Sequence, residues 1–470
     1  MAGASATVHG DRGARCLARV GDSESNRQRT AHPMNFTVNA SGNRVTDAVT
    51  GLIWQRNARC VRNPGNSSTY APPECSEVAN GSEPPSSVVE RACRPYTVSM
   101  QTDSTSPGAV SMSHAPRRTI PKRVAVVGAG LAGLSCARTL RDHSIDVTVF
   151  DKGRAPGGRL ANRCVANLSF DLGAQYLTAR DPRFLRWVES WQQDGVCAHW
   201  PGRIVAVDDS SGLLRETAVI PRWVGTPNMA ALARHLARDV SVLSSHRVDA
   251  LARLATGFTL TGTVREPGTA LSHLSASTQS ATSLGQFDIV LVCLPAPQSS
   301  ALLATVSPAL STIAANVAFD PCFAAGVVEG GSSAALASLA FDGAFIGRDN
   351  GTSPLAWVAR ETSKPGRGGL ERWMLHASTH FSKASLEAQP EAVATALARE
   401  FARLFRVPTP EVVTAHRWRY ARAPEPCTRD ACFDEAAGLG LAGDWLAGGR
   451  VEGAVLSGVA LAGSVLGSFQ

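Results

Sequence analysis

Residues 123–151 hold the feature that most constrains the fold of this chain. A short apolar run, Val124–Val127, leads directly into a glycine-rich turn, Gly128–Gly133, of sequence GAGLAG. A helical pattern follows, and a second apolar run, Val147–Phe150, ends at Asp151. A strand, a glycine turn, a helix, a second strand and an acid in this order are typical of a βαβ unit that binds a dinucleotide. The sequence therefore predicts an α/β fold with a dinucleotide site at this turn.

Each part of that pattern has a physical task. Gly128 allows the tight turn, Gly130 lets the backbone approach a pyrophosphate, and Gly133 lets the helix pack close to the strand. The N-terminus of the helix carries unpaired N–H groups and a partial positive charge that attract an anion. We expect Asp151, at the end of the second strand, to accept hydrogen bonds from the ribose hydroxyls.

Composition narrows the function further. The chain has 470 residues, a formal charge of +7 and 44% hydrophobic residues, which is an ordinary globular composition. Its arginines are scattered without a lysine-rich run, so we expect a basic surface suited to anionic cofactors and no nucleic-acid partner. The 11 cysteines lack the paired spacing of a zinc site, which predicts free thiols and no metal.

The apolar segments do not predict a membrane protein. A membrane span needs about 18–20 consecutive apolar residues, and the most apolar run, Ala454–Leu466, is shorter and rich in glycine. No secretory signal pattern follows Met1. We therefore expect a soluble cytoplasmic protein, either a monomer or a homodimer.

The first 119 residues differ from the rest. They are rich in Ser, Asn, Pro, Arg and Thr and show no sustained helical or strand period. Such a segment buries too little apolar surface to offset the entropy of ordering. We predict that residues 1–119 are disordered or precede the true start near Met112, apart from an island, Val45–Trp54, that resembles a strand pair.

The remainder of the chain reads as α/β. Asn228–Leu236 and Glu391–Phe405 have helical periodicity, and Asp288–Leu294 has the continuous apolar character of a strand buried on both faces. Val240–Leu243 and Arg247–Ala250 are predicted to be short strands. The Ser- and Thr-rich segment Thr261–Gln286 is predicted to be an enlarged hairpin loop.

Three further motifs favour FAD over NAD as the dinucleotide. Soon after Asp151, a glycine pair precedes Arg159, whose forked guanidinium suits a phosphate. Phe170–Tyr176 is predicted to be a short strand ending in small residues that allow a flat ring to approach. Near the C-terminus, Asp444 is placed to accept from a ribityl chain, and a helix starting near Gly453 would stabilise a reduced flavin by its N-terminal charge.

These motifs resemble the renalase-like branch of the FAD-dependent amine oxidase superfamily, in its bacterial form. The resemblance runs from Arg123 to the C-terminus. Its carrying segments are Val126–Gly133, Asp151–Arg159, Phe170–Asp181, Trp223–Leu236, Trp357–Arg367, Trp373–Ser378, His416–Ala421 and Gly443–Gly458.

The resemblance implies a Rossmann-like FAD domain interleaved with a mixed β-sheet substrate domain. The FAD domain would comprise residues 120–180, 225–298 and 430–470, and the substrate domain residues 181–224 and 299–429. It implies a non-covalently held FAD, since no cysteine lies inside the closing motif. The implied cofactor-binding residues are Gly128, Ala129, Gly130, Gly133, Asp151, Lys152, Gly158, Arg159, Gln175, Val248, Gly443, Asp444, Glu452, Gly453 and Ala454.

The resemblance also implies the chemistry. Substrates would be misreduced 2- or 6-dihydro isomers of NAD(P)H, which pass a hydride to flavin N5, while O2 is reduced to hydrogen peroxide. This reaction needs no catalytic side chain, because the dihydropyridine nitrogen lone pair expels the hydride. The candidate pocket residues are Tyr176, Trp357, Arg360, His416 and Trp418. The alternatives are an amine oxidase for a primary amine or polyamine, and a flavoprotein monooxygenase or a redox-inactive FAD-binding scaffold.

Overall fold

A computed structural model describes residues 123–265, 282–330, 334–347 and 352–469, together with the backbone of three short strands nearer the N-terminus. Those strands are β1 (Phe36–Val38), β2 (Arg44–Asp47) and β3 (Ile53–Gln55), which form a small sheet in that order. β2 and β3 are antiparallel, with Val45 opposite Trp54, so the strand pair predicted at 45–54 is confirmed. The disorder predicted for the rest of residues 1–119 lies outside the described residues.

A six-stranded sheet carries the glycine turn. Its strands are β4 (Val124–Val127), β5 (Val147–Asp151), β12 (Ser241–Ser244), β16 (Ile289–Val292), β22 (Cys432–Asp434) and β23 (Leu439–Leu441). The spatial order is β12-β5-β4-β16-β23-β22, and every neighbouring pair is parallel except β22 with β23. β4 and β16 are wholly buried because helices or loops cover both faces, as their continuous apolar sequence predicts.

Two helices pack against each other over this sheet. They are α1 (Leu131–Asp142) and α8 (Val451–Gly467). A Cβ on Gly458 would lie 2.1 Å from the carbonyl oxygen of Ala132, so the glycine allows the two backbones to meet. The hydroxyl of Ser135 donates to the carbonyl of Val455 at 3.1 Å in the same contact. The crossing lies within two turns of both N-termini, which brings these two helix starts into one region.

The second large sheet is mixed and has seven strands. Its strands are β9 (Ile204–Val207), β10 (Leu214–Glu216), β17 (Asp320–Val328), β18 (Gly343–Ile346), β19 (Leu355–Arg360), β20 (Arg372–Ala377) and β21 (Glu411–Arg422). The order is β10-β9-β18-β19-β20-β17-β21. Helix α7 (Pro390–Phe405) covers one face, with Val393, Leu397 and Phe401 buried against it as their spacing predicts.

Smaller elements connect the two sheets. The remaining strands form the pairs β6 (Asn162–Val165) with β7 (Leu168–Asp171) and β8 (Cys197–His199) with β11 (Trp223–Gly225), and the sheet of β13 (His246–Arg253), β14 (Phe258–Val264) and β15 (Thr282–Phe287). The other helices are α2 (Pro182–Gln193), α3 (Ala230–Leu236), α4 (Ala296–Leu303), α5 (Pro308–Ala315) and α6 (Thr379–Ala384). Within the described part of the chain, no helix is both long and apolar enough to cross a membrane.

The predicted fold class is confirmed: a Rossmann-like parallel sheet is combined with a mixed sheet. All strands of the six-stranded sheet fall in the segments predicted for the FAD domain, and all strands of the seven-stranded sheet fall in those predicted for the substrate domain. The predicted loop Thr261–Gln286 is shorter than expected. β14 continues to Val264 and β15 begins at Thr282, because antiparallel pairing extends both arms of the hairpin.

Candidate cofactor and substrate site

The glycine turn has the geometry that its sequence predicts. Gly128 has φ of +110°, and a Cβ there would lie 2.7 Å from the carbonyl oxygen of Cys293. A Cβ on Gly133 would lie 1.9 Å from the carbonyl oxygen of Gly128, so any side chain would force the helix away from the turn. At Gly130, by contrast, a Cβ would meet no atom within 4 Å. Gly130 therefore faces open space at the start of α1, where no side chain caps the helix.

Asp151 stands at the end of β5 as predicted and already holds the turn in place. Its Oδ2 accepts from the backbone N–H of Ala129 at 2.6 Å, and its Oδ1 accepts from that of Gly153 at 2.6 Å. Each carboxylate oxygen has a further lone pair, so Asp151 can also accept from a hydroxyl. The exposed Lys152 follows it directly.

The glycine pair after Asp151 lies against the first turn. Gly157 has φ of +137°, which only glycine adopts without strain, and Gly158 has φ of +51°, in the left-handed region that favours glycine. The N–H of Gly157 donates to the carbonyl of Ala129 at 2.8 Å. A Cβ on Gly158 would lie 3.4 Å from Cα of Gly130, so this second turn borders the same open space.

Arg159, directly after this glycine pair, forms an ion pair with Asp444. Two guanidinium nitrogens of Arg159 donate to the two carboxylate oxygens of Asp444, at 2.9 and 2.6 Å. The sequence predicts separate partners for them, a phosphate for Arg159 and a ribityl hydroxyl for Asp444. In the structure they bind each other, because Asp444 follows β23 and Arg159 follows the glycine pair after β5, and both strands belong to the six-stranded sheet. A bidentate ion pair of this kind is strong and directional.

The segment 171–181 connects this ion pair to the start of α8. At one end, a Cβ on Gly173 would lie 1.9 Å from the carbonyl oxygen of Arg159, so the small residue predicted to admit a flat ring first admits that backbone. At the other end, the N–H groups of Arg180 and Asp181 both donate to Oε1 of Glu452 at 2.7 Å. Tyr176 lies midway along this segment.

Helix α8 begins beside Glu452. The buried Glu452 is held by the two backbone donors of residues 180 and 181 and by the guanidinium of Arg450 at 3.1 Å. A Cβ on Gly453 would lie 1.9 Å from the carbonyl oxygen of Ala447, and the N–H of Ala454 already donates to the carbonyl of Arg450. No side chain caps this N-terminus, so its first N–H groups remain available to an acceptor.

These features together fit an elongated dianionic cofactor. Two uncapped helix starts and an open space at Gly130 suit a pyrophosphate, Asp151 suits a ribose, and Arg159, whose fork is bonded to Asp444, adds positive charge near them. Gly443, whose N–H donates to the hydroxyl of Ser457 at 2.9 Å, places Asp444 at the edge of the same region. Val248 is buried on β13, and its predicted backbone contact to adenine stays a prediction.

A buried ionic cluster beside Gln175 was missed by sequence reasoning. Nζ of Lys364 contacts Oε1 of Glu361 at 2.7 Å, Oε1 of Gln175 at 3.0 Å and Oδ2 of Asp171 at 3.5 Å. The guanidinium of Arg367 bonds to Asp171 and, at 2.6 Å, to Glu361. These side chains have at most 1% exposure. We name Asp171, Glu361, Lys364 and Arg367 the buried tetrad.

The tetrad determines where Gln175 points. Its side-chain oxygen accepts from Lys364, and its nitrogen donates to the carbonyls of Asp171 at 2.5 Å and Gly173 at 3.0 Å. The predicted cofactor residue Gln175 is thus fully engaged with protein groups, and any contact with a flavin would come from its backbone. The only signal in the sequence was the closeness of one acid, Glu361, to two bases, Lys364 and Arg367, which does not reveal that all three are buried against Asp171.

Burial and charge act together on the protonation of this cluster. Burial opposes ionisation of Asp171, but Arg367 and Lys364 hold the pKa of its carboxyl below the usual value. Burial lowers the pKa of Lys364, and Glu361 and Asp171 counteract part of that effect. The tetrad carries two positive and two negative groups, so it is neutral as a whole.

Three of the predicted pocket residues share one face of the seven-stranded sheet. Trp357 is opposite His376, His376 is opposite Ala324, and Ala324 is opposite His416, which places them in one row across four strands. Trp418 lies two residues beyond His416, so its side chain is on the same face. The ring centroids of His416 and Trp418 are 4.2 Å apart, and Nε1 of Trp418 donates to the carbonyl of Leu172 at 3.0 Å.

Arg360 is on the other face. It lies three residues after Trp357 on β19, an odd separation that reverses the direction of a side chain. Its guanidinium bonds to the carbonyl of Leu339 at 2.5 Å and lies 3.3 Å from Glu371. The structure therefore separates Arg360 from Trp357 and Tyr176, although the sequence groups them in one pocket.

Both histidines of the row are neutral at physiological pH. Burial lowers the pKa of His376 to about 4, against a small opposing effect of its hydrogen bond with Leu172. Burial and the nearby Arg163 lower the pKa of His416 to about 4. A neutral imidazole with so low a pKa is a poor proton acceptor at pH 7.

Aromatic rings surround Tyr176. Its ring centroid lies 5.5 Å from that of Trp357 and 6.1 Å from that of Trp200. The guanidinium carbon of Arg222 lies 5.3 Å from the Tyr176 centroid, a contact that the sequence analysis did not anticipate. Trp200 is buried in the core and also donates from Nε1 to the hydroxyl of Ser363 at 3.1 Å.

Comparison with known families agrees with this geometry. Residues 126–191 match the family described as NAD(P)-binding Rossmann-like domain. Residues 210–466, more than half of the chain, match the family described as flavin containing amine oxidoreductase. The two matched ranges together include both helix starts and, apart from β9 and the first two residues of β4, the strands of both large sheets.

Individual relatives share shorter stretches or only the fold. Protoporphyrinogen oxidase 2, chloroplastic/mitochondrial, from Arabidopsis thaliana is 43% identical over 61 residues, 13% of this chain and 12% of that protein. Hydroxyneurosporene desaturase from Rubrivivax gelatinosus is 41% identical over 73 residues, 16% of this chain and 12% of that protein. The match thus spans about an eighth of these relatives. A structure of wild-type putrescine oxidase bound to putrescine has a TM-score of 0.53 at 12% identity, covering 74% of this chain and 99% of that one.

Proposed function

Because the chain belongs to the family of flavin-containing amine oxidoreductases and is an FAD-dependent oxidoreductase, we propose that it oxidises the misreduced 2- and 6-dihydro isomers of NAD(P)H to NAD(P)+. A non-covalently bound FAD would supply the hydride acceptor, with O2 as the final oxidant and hydrogen peroxide as its product. The substrate and O2 are the partners of this reaction.

The observation that supports this choice is the protonation state of the face that carries Trp357. His376 and His416 have pKa values of about 4, and the carboxylate of Asp171 is ion-paired within the buried tetrad. These groups are withheld from proton transfer at neutral pH. A dihydropyridine expels its hydride with the help of its own nitrogen, so its oxidation suits a site that mainly binds and orients.

The residues of the chain have defined tasks in this proposal. The glycine turn, Arg159 and the start of α8 hold the cofactor, and Asp151 fixes its ribose. Tyr176 and Trp357 provide flat apolar surfaces against which a planar ring can stack. The buried tetrad fixes the segment that carries Tyr176, which keeps this stacking surface rigid.

The test is anaerobic mixing of the oxidised holoenzyme with the 2-, 6- and 4-dihydro isomers of NADH, followed by flavin absorbance near 450 nm. We expect fast bleaching by the 2- or 6-dihydro isomer, slow bleaching by the 4-dihydro form, and peroxide on admission of air. Fast bleaching by the ordinary 4-dihydro form would indicate a monooxygenase instead. Absence of bleaching by every isomer would refute the proposal.

An amine oxidase is the second candidate, and the structural likeness to a putrescine oxidase favours it. The same apparatus distinguishes it, because putrescine would then bleach the flavin while the dihydronicotinamides would not. Acid precipitation checks the mode of cofactor binding. A yellow supernatant over colourless protein agrees with non-covalent FAD, whereas a yellow pellet contradicts it.

A further inference from the structure

Arg222 is a buried cation without an anion. It is 6% exposed, directly before β11. Its Nη1 donates to the carbonyl of Ile220 at a long 3.3 Å, and its Nε has no acceptor in the part of the chain that the structure describes. Among the described residues, no carboxylate forms an ion pair with Arg222, although 20 such pairs involve other side chains.

Other buried cations of this protein are matched. Lys364 and Arg367 each contact two carboxylates of the buried tetrad. Arg372, 4% exposed, donates to four backbone carbonyls, those of Ser169, Arg367, Gly368 and Leu370. A buried charge without such partners is costly, because it has lost its hydration without replacement. Nε of Arg367 also lacks an acceptor, so Arg222 differs from these residues in having neither a carboxylate partner nor more than one long hydrogen bond among the described residues.

A second unused donor borders the same aromatic ring. Trp357 is 7% exposed, and its indole N–H has no acceptor among the described residues. Its ring lies 5.5 Å from that of Tyr176, and the guanidinium of Arg222 lies 5.3 Å from the same ring. Two buried side chains, Arg222 directly before β11 and Trp357 on β19, thus both contact Tyr176, and each has one donor without an acceptor among the described residues.

The position of Tyr176 links these donors to the cofactor region. The segment 171–181 runs from the carbonyl of Arg159 to the carboxylate of Glu452, and Tyr176 is near its middle. Leu177 pairs with Trp223 in both directions, at 2.8 and 3.0 Å, which fixes Arg222 next to Tyr176. A ligand on the Tyr176 ring would therefore contact a segment that is bonded at both ends to residues of the proposed cofactor site, Arg159 and Glu452.

We propose that Arg222 and the indole N–H of Trp357 form an oxyanion subsite that binds an anionic oxygen of the substrate, a phosphate or carboxylate oxygen, over the ring of Tyr176. The guanidinium supplies charge and a forked donor, and the indole supplies a second, directional hydrogen bond. The substrate class that this subsite accepts is a planar compound with an anionic group.

This subsite deepens the proposed function and rests on it only in placing the substrate at Tyr176. A dihydronicotinamide dinucleotide carries phosphates that an arginine can bind. A protonated diamine does not suit a buried, uncompensated cation, because like charges repel most strongly where water is excluded. The subsite thus predicts discrimination by charge between ligands of equal size and shape.

The experiment uses two probes that match in size, benzoate and benzylamine, with inorganic pyrophosphate as a third. Each is titrated into the oxidised holoenzyme, and binding is followed by the perturbation of the flavin spectrum. We expect benzoate or pyrophosphate to bind in the wild type, and benzylamine to bind at least tenfold more weakly. Pyrophosphate binding without benzoate binding would identify phosphate as the group recognised, and the reverse would identify carboxylate.

The variants Arg222→Met and Arg222→Lys test the assigned residue, and Arg215→Met, at an exposed arginine on β10, is the matched control. Arg222→Met is expected to weaken anion binding at least tenfold while the melting temperature stays equal or rises, since an unpaired buried charge is removed. Arg222→Lys should retain part of the binding, and Arg215→Met all of it. Trp357→Phe should weaken binding with the flavin content unchanged.

The opposite pattern overturns the subsite. If Arg222→Met lowers the melting temperature and leaves anion affinity unchanged, the residue is structural. If benzylamine binds the wild type more tightly than both anions, the charge preference is wrong. These outcomes are independent of turnover, so the subsite can hold when no dihydronicotinamide isomer bleaches the flavin, and it can fail when one does.

Discussion

Removing the charge of Glu361 tests the energetic role of the buried tetrad. In Glu361→Gln, Lys364 loses a carboxylate at 2.7 Å and Arg367 loses one at 2.6 Å. Asp171 then remains alone against two cations whose side chains have at most 1% exposure. The substitution changes little in volume, so its effect reports charge rather than packing.

The magnitude follows from that imbalance. Breaking a buried ion pair by removing one partner costs about 3–5 kcal/mol, because the other charge stays buried without compensation. Glu361 serves two cations, so we expect the upper part of this range. With a urea dependence of about 3 kcal/mol per molar, the unfolding midpoint falls by about 1–2 M.

The loss of stability in Glu361→Gln should depend on pH in a defined direction. Burial already lowers the pKa of Lys364, and loss of Glu361 removes the larger of the two carboxylate effects that raise it. An unfolded lysine titrates near pH ~10.4. Between the lowered pKa of the folded state and that value, the unfolded chain binds the extra proton, so stability rises with pH. The deficit of Glu361→Gln relative to the wild type therefore shrinks as pH rises from 7 toward 10.

The assay is urea denaturation of the holoenzyme followed by tryptophan fluorescence at several pH values. Glu387→Gln is the matched control, because Glu387 pairs with Arg419 at the surface with 73% of its side chain exposed. We expect no measurable change for the control. The double variant Glu361→Gln/Lys364→Met restores neutrality and should be more stable than the single variant. Equal effects of Glu361→Gln and Glu387→Gln, or an unchanged double variant, would refute this reasoning.

The remaining predictions concern the cofactor site and the histidine row. Gly130→Ala should fold with an unchanged melting temperature and purify with less flavin. Gly133→Ala should melt at a lower temperature, because its Cβ would lie 1.9 Å from a backbone oxygen. The absorbance ratio at 450 and 280 nm measures the flavin content, and circular dichroism measures the melting temperature. Asp444→Asn should lose flavin by the same ratio, because Arg159 loses its charged partner. The pKa of His376 is about 4 in the folded state and about 6.5 in the unfolded state, so the free energy of unfolding should fall as pH falls from 6.5 to 4. In urea titrations, His376→Gln should reduce this dependence on pH. An unchanged dependence would contradict the prediction.

Local sequence patterns were sufficient to predict much of the proposed cofactor-binding part of the site. The strand before Gly128, the helix after it and Asp151 at the end of the next strand are dictated by short-range chemistry: apolar runs, residues without a Cβ and a terminal acid. The structure has each of them where the sequence predicts it. The apolar stripe of α7 is another example, since its period alone fixes the face it buries.

The sequence did not show which side chains bind each other. Arg159 and Asp444 are 285 residues apart, and a forked arginine suits a phosphate as well as a carboxylate, so only their approach in space shows that they bind each other. Arg360 and Trp357 are neighbours in sequence, but strand geometry sends them to opposite faces. The tetrad joins Asp171 to residues 361–367 across two elements, which no local spacing reveals.

By itself the sequence determined the fold class, the dinucleotide turn and the family resemblance, because these depend on backbone conformation and periodicity, which are encoded within a few residues. The tertiary structure decided which charges are satisfied. Glu361, Lys364 and Arg367 lie within one short segment and neutralise Asp171, whereas Arg222 remains buried beside Tyr176 without a carboxylate. Electrostatic compensation is a property of positions in space, and residues far apart in the chain supply it.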